Sequence, residues 1–344
     1  MRARVVEADT GVPYKQGEHQ YYSRTEEGAQ YRVHCRRRLP AGSGPQLETD
    51  GFAEAPEEVV LDENEEARAH KFYATGGVSP SPDGRLLAYS ADTVGGEKFT
   101  LCVRDVATRA ARLRRPIPNT TGAVEWSADG RWLFYLTRDA LERPHKVWRH
   151  LLGSDPADDV CVFHEPDDTF YVGIDKSASE RFIWIGTGSA VTSDARYIPA
   201  DRPEAEPRLV LPRRQDVEYS VQDAPDGSFV LLLRDEGRPN SELVLLRRRD
   251  LQAAGPGGAD PGALVTLVPH RQDVKLEHFD VWKRHVVLQE RRRANQEAVV
   301  YDLSAADGPL AAGRPIQFDE PAYTLGVHKV GDFECPLLAL YYAS

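Results

Sequence analysis

Long apolar runs are missing from this chain of 344 residues, and none approaches the roughly 18 residues that a membrane-spanning helix requires. Basic residues at the N-terminus (Met1 to Thr10) have no apolar core behind them, so a signal peptide is not expected and a cytoplasmic location is. Cysteine is scarce. Its four residues, Cys35, Cys102, Cys161 and Cys335, lie far apart with no C-x-x-C pair, which argues against a disulfide framework and for reduced thiols buried in strands. Lysine is also rare, 8 against 35 arginines, and the formal charge is −11. A nucleic-acid partner is therefore not expected, because it would need a local basic stripe against an unfavourable overall field. The runs Arg36-Arg37-Arg38, Arg247-Arg248-Arg249 and Arg291-Arg292-Arg293 read as solvated strand ends; a polyanion site would require them to converge.

The motifs of several chemistries are absent as well. No G-x-S-x-G lies between a strand and a helix, and the closest string, Gly186-Thr-Gly-Ser189-Ala, reads as a turn. No H-E-x-x-H or Cys/His spacing suits zinc. His145 and His150 are five apart on one expected strand and so diverge, as do the adjacent His34 and Cys35; His278 and His285 flank a turn. The acid pairs Glu57-Glu58, Asp158-Asp159 and Asp167-Asp168 diverge for the same reason, so paired-carboxylate glycosidase chemistry is not expected. No phosphate loop is present. No catalytic, metal-binding or cofactor-binding residue is assigned, and no cofactor is expected.

What is present is a turn that repeats. In Ser81-Pro-Asp-Gly-Arg-Leu-Leu-Ala-Tyr-Ser90, Pro82 and Asp83-Gly84 form a tight turn and an apolar strand follows. The same order returns at Ser127-Ala-Asp-Gly-Arg131 and, degenerate, at Ser177-Ala-Ser-Glu-Arg181. Further copies are Pro225-Asp-Gly227, Lys283-Arg284 and Gly331-Asp332, at spacings of 46 to 57 residues. Downstream of these turns lie β-prone runs such as Thr100 to Val106, Lys146 to Leu152, Ala195 to Pro199, Glu242 to Leu246 and Ala298 to Leu303. A fourth run closes most units, for example Val160 to Phe163, Leu209 to Leu211 and Leu264 to Val268. Four short strands per unit of roughly 45–50 residues is the signature of a β-propeller blade. The class is all-β, since no amphipathic helix separates the strands.

Before the first full turn, Tyr21 to Arg24 and Gln30 to Cys35 flank Thr25-Glu-Glu-Gly28 as a hairpin. A loop from Pro40 to Pro45, a strand at Glu58 to Leu61 and a short helix within Asp62 to His70, capped by Asp62 or Asn64, follow. That helix is the only convincing one expected. Five blades look complete, between about Tyr73 and Pro321. The first unit lacks an obvious innermost strand, and the last supplies two strands.

In this order, several strings resemble the N-terminal β-propeller of the prolyl oligopeptidase family of serine peptidases, most closely its oligopeptidase B branch. They are Tyr21-Tyr-Ser-Arg-Thr-Glu-Glu-Gly-Ala-Gln-Tyr31 with His34-Cys-Arg-Arg37, Ser81 to Ser90, Val124-Glu-Trp-Ser-Ala-Asp-Gly130 and Val147-Trp-Arg-His150. Val217-Glu-Tyr-Ser-Val221, Phe279-Asp-Val281 and Pro321-Ala-Tyr-Thr324 complete the series. The resemblance implies a seven-bladed propeller of four-stranded blades, first and last incomplete. It implies a polar segment over 1–17 and blades over about 18–71, 72–118, 119–166, 167–213, 214–270, 271–320 and, in part, 321–344. The family's C-terminal α/β-hydrolase domain, which bears the Ser-Asp-His triad, is expected to be absent, leaving a truncated chain that is inactive alone. The implied role is a non-catalytic gate that admits short peptides, cleaved after Arg or Lys by the partner hydrolase domain. The alternative is a free-standing propeller serving as a protein-interaction scaffold.

Overall fold

The computed structural model describes residues 8–40, 42–43, 55–304, 308–320, 323–328 and 333–343. It falls into two compact units, Met1–Pro166 with Ala200–Pro203, and Asp167–Pro199 with Glu204–Ser344.

In the first unit, β1 (Asp9–Thr10), β2 (Tyr14–Gln16), β3 (His19–Thr25), β4 (Val33–Arg38) and β5 (Glu57–Asp62) form one antiparallel sheet. Both β1 and β2 pair with the free edge of β3, at Asp9↔Thr25 and Tyr14↔Tyr21. The place of the innermost strand, which the sequence left vacant, is thus filled by two short pieces of the expected polar segment. Its boundary at residue 17 falls inside the β2–β3 hairpin, where Gly17 takes φ +58°. Helix α1 (Glu63–Ala67) starts from Asp62, whose carboxylate accepts from the Asn64 and Glu65 N–H groups, as the capping argument anticipates.

Next come β6 (Ala74–Pro80), β7 (Leu86–Asp92), β8 (Phe99–Asp105), β9 (Ile117–Trp126), β10 (Trp132–Arg138), β11 (Pro144–Leu151) and β12 (Val160–His164), paired in sequence order. They are two four-stranded blades sharing one long strand. The start of β9 pairs with β8 at Leu101↔Ile117, and its end pairs with β10 at Leu133↔Trp126. Between them Gly122 takes φ +99°, and a side chain there would come within 3.1 Å of the Gly76 backbone. The handover from one blade to the next therefore lies within β9, around Thr120 to Gly122, just past the expected division between 118 and 119.

In the second unit, three separate four-stranded meanders follow. They are β13 (Tyr171–Lys176), β14 (Phe182–Gly188), β15 (Ser193–Pro199) and β16 (Arg208–Leu209); then β17 (Glu218–Asp223), β18 (Phe229–Asp235), β19 (Arg238–Leu246) and β20 (Val265–Val268); then β21 (Val274–Val281), β22 (His285–Arg292), β23 (Asn295–Asp302) and β24 (Arg314–Pro315). Helix α2 (Arg248–Ala253) lies between β19 and β20, and β25 (Thr324–His328) pairs with β26 (Ala339–Ala343) as a two-stranded sheet. The Gly331-Asp332 copy of the turn lies outside the described residues, as do Ala41, Gly44 and Pro45 of the Pro40 to Pro45 loop.

The repeated turn has a common chemistry. Ser81 Oγ accepts from the Leu86 N–H at 2.9 Å and donates to Asp83, whose carboxylate also takes the Arg85 N–H at 3.0 Å. Ser127, Asp129 and Trp132 repeat this, with the two glycines at φ +67° and +65°. The degenerate copy keeps the geometry without the residues. Ser177 Oγ accepts from the Phe182 N–H at 3.0 Å, Ser179 replaces the aspartate and Glu180 holds φ +61°. At Pro225-Asp-Gly227 the loop is one residue shorter, and Ser228 donates to Asp226 through both its N–H and its hydroxyl. At Lys283-Arg284 it contracts to a two-residue hairpin closed from the Trp282 N–H to the His285 carbonyl at 2.8 Å.

Behind the turns, alternate side chains of neighbouring sheets interlock. In the second unit Phe182, Trp184, Tyr197 and Phe229 form an edge-to-face cluster over which Leu251 of α2 closes. Full burial of each such side chain contributes about 1.5–3 kcal/mol. Helix α2 was not anticipated. Its only buried side chain is Leu251, and Arg208 reaches across to donate to the Leu251 and Ala254 carbonyls at 3.0 and 3.1 Å.

Candidate functional site

The residues singled out for chemistry sort into structural roles. Ser189 closes the β14–β15 loop, its N–H and hydroxyl both donating to the Thr192 carbonyl. His34 meets Glu63 at 2.7 Å, while Cys35, its neighbour, is buried on the other side of β4 with its thiol pushed up to about 11 by burial. His278 pairs with Asp280 on the same strand, and His285 is exposed. Glu57 and Glu58 diverge, the first to Tyr22 and Arg24, the second to Arg36. Of the four thiols, all free, Cys35 and Cys335 are buried and Cys102 half-buried, but Cys161 is exposed on the outer strand β12, against the expectation of burial. Among the described residues no group of three or more His, Cys, Asp or Glu is placed to hold a metal, and no helix is long and apolar enough to cross a membrane.

One arrangement that sequence reasoning missed has the outline of a base and its orienting acid. His150 Nδ1 lies 2.6 Å from Asp159, which also accepts from the Tyr135 hydroxyl at 2.8 Å. Burial, and then the Asp159 charge, push the Tyr135 phenol up strongly. No solvent-accessible chemistry can use this group, since both the His150 and Asp159 side chains are almost wholly enclosed. It ties β10 and β11 to the approach of β12, and no regular spacing in the sequence marks it.

Among the described residues, three clefts each lie within one unit. In the first unit, a cleft of about 440 Å³ is walled by Tyr14, Tyr21, His34 and Glu63 over the backbone of Gly76 and Gly77. Tyr14 stacks on Tyr21 at 5.7 Å, and burial raises the Tyr14 phenol to about 12. In the second unit, a cleft of about 350 Å³ is lined by Glu218, Arg234, Lys275 and Glu277, with Arg234 paired to Glu218 at 2.7 Å. A larger one, about 520 Å³, is lined by Arg247, Arg248, Arg249, Lys283 and Asp226. In the 520 Å³ cleft the Ser228 hydroxyl donates to Asp226 at 2.8 Å, a contact that closes the Pro225-Asp-Gly227 turn.

The first cleft carries a pH prediction. Burial pushes the Glu63 carboxyl up, but the His34 hydrogen bond and further partners outweigh it and hold it below its ordinary value of 4.5. Glu57 is likewise held low against burial by Tyr22 and Arg24. A depressed folded-state value means stability is fully present above the unfolded value and lost as pH falls through the folded one. Urea midpoints of the wild type should thus fall steeply below about pH 4.5, and Glu63→Gln should flatten that fall. An unchanged slope in the variant would remove Glu63 from the account.

Repeated four-stranded antiparallel meanders, joined by tight turns, define a β-propeller domain. The comparisons agree on the class and make it specific. The family model for the prolyl oligopeptidase N-terminal beta-propeller domain matches residues 1–334. Protease 2 of Moraxella lacunata is 31% identical over 99% of this chain, and dipeptidyl aminopeptidase BI of Pseudoxanthomonas mexicana 32% identical over 94%. Among solved structures, oligopeptidase B of Leishmania major superposes with a TM-score of 0.86 at 27% identity over 99% of the chain. Oligopeptidase B of Trypanosoma brucei, in a closed form with covalently bound antipain, gives 0.84 at 29% identity, also over 99%. The chain belongs to the prolyl oligopeptidase family and is similar to its oligopeptidase B members across the propeller. It spans under half the length of these relatives, 46% of the first and 43% of the second.

Proposed function

We propose that this chain is the substrate-filtering propeller of an oligopeptidase B-like serine peptidase, with hydrolysis of short peptides after Arg or Lys performed by an α/β-hydrolase domain. The observation that carries the reading is the match of 99% of the chain to 46% of the Leishmania oligopeptidase B structure, at a TM-score of 0.86. In this reading the sheets are blades of a seven-bladed ring, and the free thiols suit a cytoplasmic location.

The test is a pair of assays. The purified chain should show no hydrolysis of Arg- or Lys-containing peptide substrates. Joined to the hydrolase half of the Moraxella relative, it should give an enzyme that cleaves short Arg peptides but spares casein. Activity of the clean chain alone, or a chimera that degrades casein as fast as the peptides, would sink the proposal.

A further inference from the structure

The two full blades of the first unit are not separate sheets. Thr120 of β9 is in register with Phe99 of β8 on one side and with Thr137 of β10 on the other, so one ladder runs through all seven strands. Successive sheets of the second unit share no strand. They are bridged instead by side chains, with the Ser193 hydroxyl accepting from the Tyr219 N–H at 2.7 Å and the Gln222 amide donating to the Phe279 carbonyl at 2.8 Å.

Where β9 changes partners it comes against β6, the first strand of the preceding blade, and the two meet backbone to backbone. β6 carries a bulge there, with Gly76 and Gly77 set between the pairs Thr75↔Ala91 and Val78↔Tyr89, opposite Ser90. A Cβ on Gly77 would fall 2.5 Å from the Gly122 carbonyl oxygen, and one on Gly76 would fall 2.7 Å from the Phe99 ring. Glycine is what allows so close an approach. The buried Ser90 hydroxyl sits at the crossing, accepting from the Gly77 N–H and donating to the Gly122 carbonyl, both at 2.9 Å. Both groups lie at register shifts, where a ladder leaves donors and acceptors unpaired, and one hydroxyl serves the two. Further along β9, the Trp126 indole N–H donates to the Ser79 carbonyl at 3.0 Å and ties the same two strands again.

We propose that these two blades open as one cooperative body, with the Ser90 hydroxyl as the latch between their inner strands. Neither blade can swing away from the other without breaking the shared ladder at Thr120 or stripping Gly77 and Gly122 of their common partner. An unpartnered buried polar group is costly, which is what gives a single hydroxyl this hold. Under the filtering role proposed above, the seam between these blades is then a fixed part of the wall and peptides are admitted elsewhere. That consequence rests on the filtering role; the latch itself does not.

Amide hydrogen exchange of the full chain in graded urea tests the latch. In the wild type, the amides of β7 and β10 should follow one opening isotherm. In Ser90→Ala the Gly77 amide should exchange about tenfold faster or more, and the β7 and β10 isotherms should separate while β18 and β22 keep their protection. Separate isotherms in the wild type would overturn the inference without recourse to any variant. So would a Gly77 exchange rate in Ser90→Ala within about twofold of the wild type, or a uniform loss of protection that includes β18 and β22, which would make Ser90 an ordinary packing residue. Every outcome is read on this chain without a hydrolase domain, so none of them decides whether it filters peptides.

Discussion

Replacing Phe229 with alanine is expected to remove about 3–5 kcal/mol of unfolding free energy, the largest loss anticipated for any single side chain here. Phe229 opens β18 and is 1% exposed. Its ring lies 4.9 Å from Trp184, 5.0 Å from Tyr197 and 5.4 Å from Phe182, in each case edge to face. The three partners belong to β14 and β15, so the ring joins two successive sheets of the second unit. Truncation would forfeit the transfer energy of the ring and also leave a cavity between two sheets whose backbones are fixed by their own ladders and cannot close it. Each aromatic pair adds about 0.5–1.5 kcal/mol beyond burial, so Phe229→Leu should recover only part of the loss. Trp184 reports directly on the cluster. Urea unfolding followed by tryptophan fluorescence should show a lower midpoint and, in Phe229→Ala, a red-shifted native spectrum. A loss below about 1 kcal/mol would mean that the sheets repack around the gap.

How much of this was legible beforehand depends on the range of the interactions. The blade turn was legible because it is local: Ser81, Asp83 and Gly84 satisfy one another within six residues, and the serine, aspartate and glycine can each be recognised from sequence. Even the worn copy at Ser177 to Arg181 could be placed, since Ser179 substitutes for the aspartate oxygen and the turn tolerates Glu180 at positive φ. The innermost strand of the first sheet was not legible. Asp9–Thr10 and Tyr14–Gln16 are short and polar, and are strands only because β3 offers them an edge. Helix α2 failed for a related reason. Its Arg-rich sequence looks like a solvated strand end, and Leu251 gains a role only from the Phe229 core that it covers. The cleft of about 520 Å³ needed Lys283 to be brought beside Arg247 to Arg249 from the following sheet, which no spacing within either segment announces. The His150–Asp159–Tyr135 group is equally nonlocal, relying on the register of β10 against β11.

The second large effect is electrostatic and is expected at Asp194. This carboxylate, on β15 with no side-chain exposure, accepts from Arg196 at 2.5 Å and from Arg213, which also donates to Thr187 at 3.1 Å. The Arg213 guanidinium lies 3.9 Å over the ring of Phe170, so it is fixed by packing as well as by charge. Asp194→Ala would leave two guanidiniums sharing a site with no anion between them. Removing one member of a fully buried pair costs about 3–5 kcal/mol. Here both arginines keep a path to solvent, with side-chain exposures of 21% and 29%, so a loss of about 2–4 kcal/mol is expected. The decisive comparison is a double-mutant cycle with Arg213→Met, which retains the stem over Phe170 without the charge. If like-charge strain dominates, the double variant should be more stable than Asp194→Ala alone, although it carries one more substitution. Additive losses in urea denaturation would instead assign the effect of Asp194 to its hydrogen bonds, and the two arginines would then count as independent surface groups.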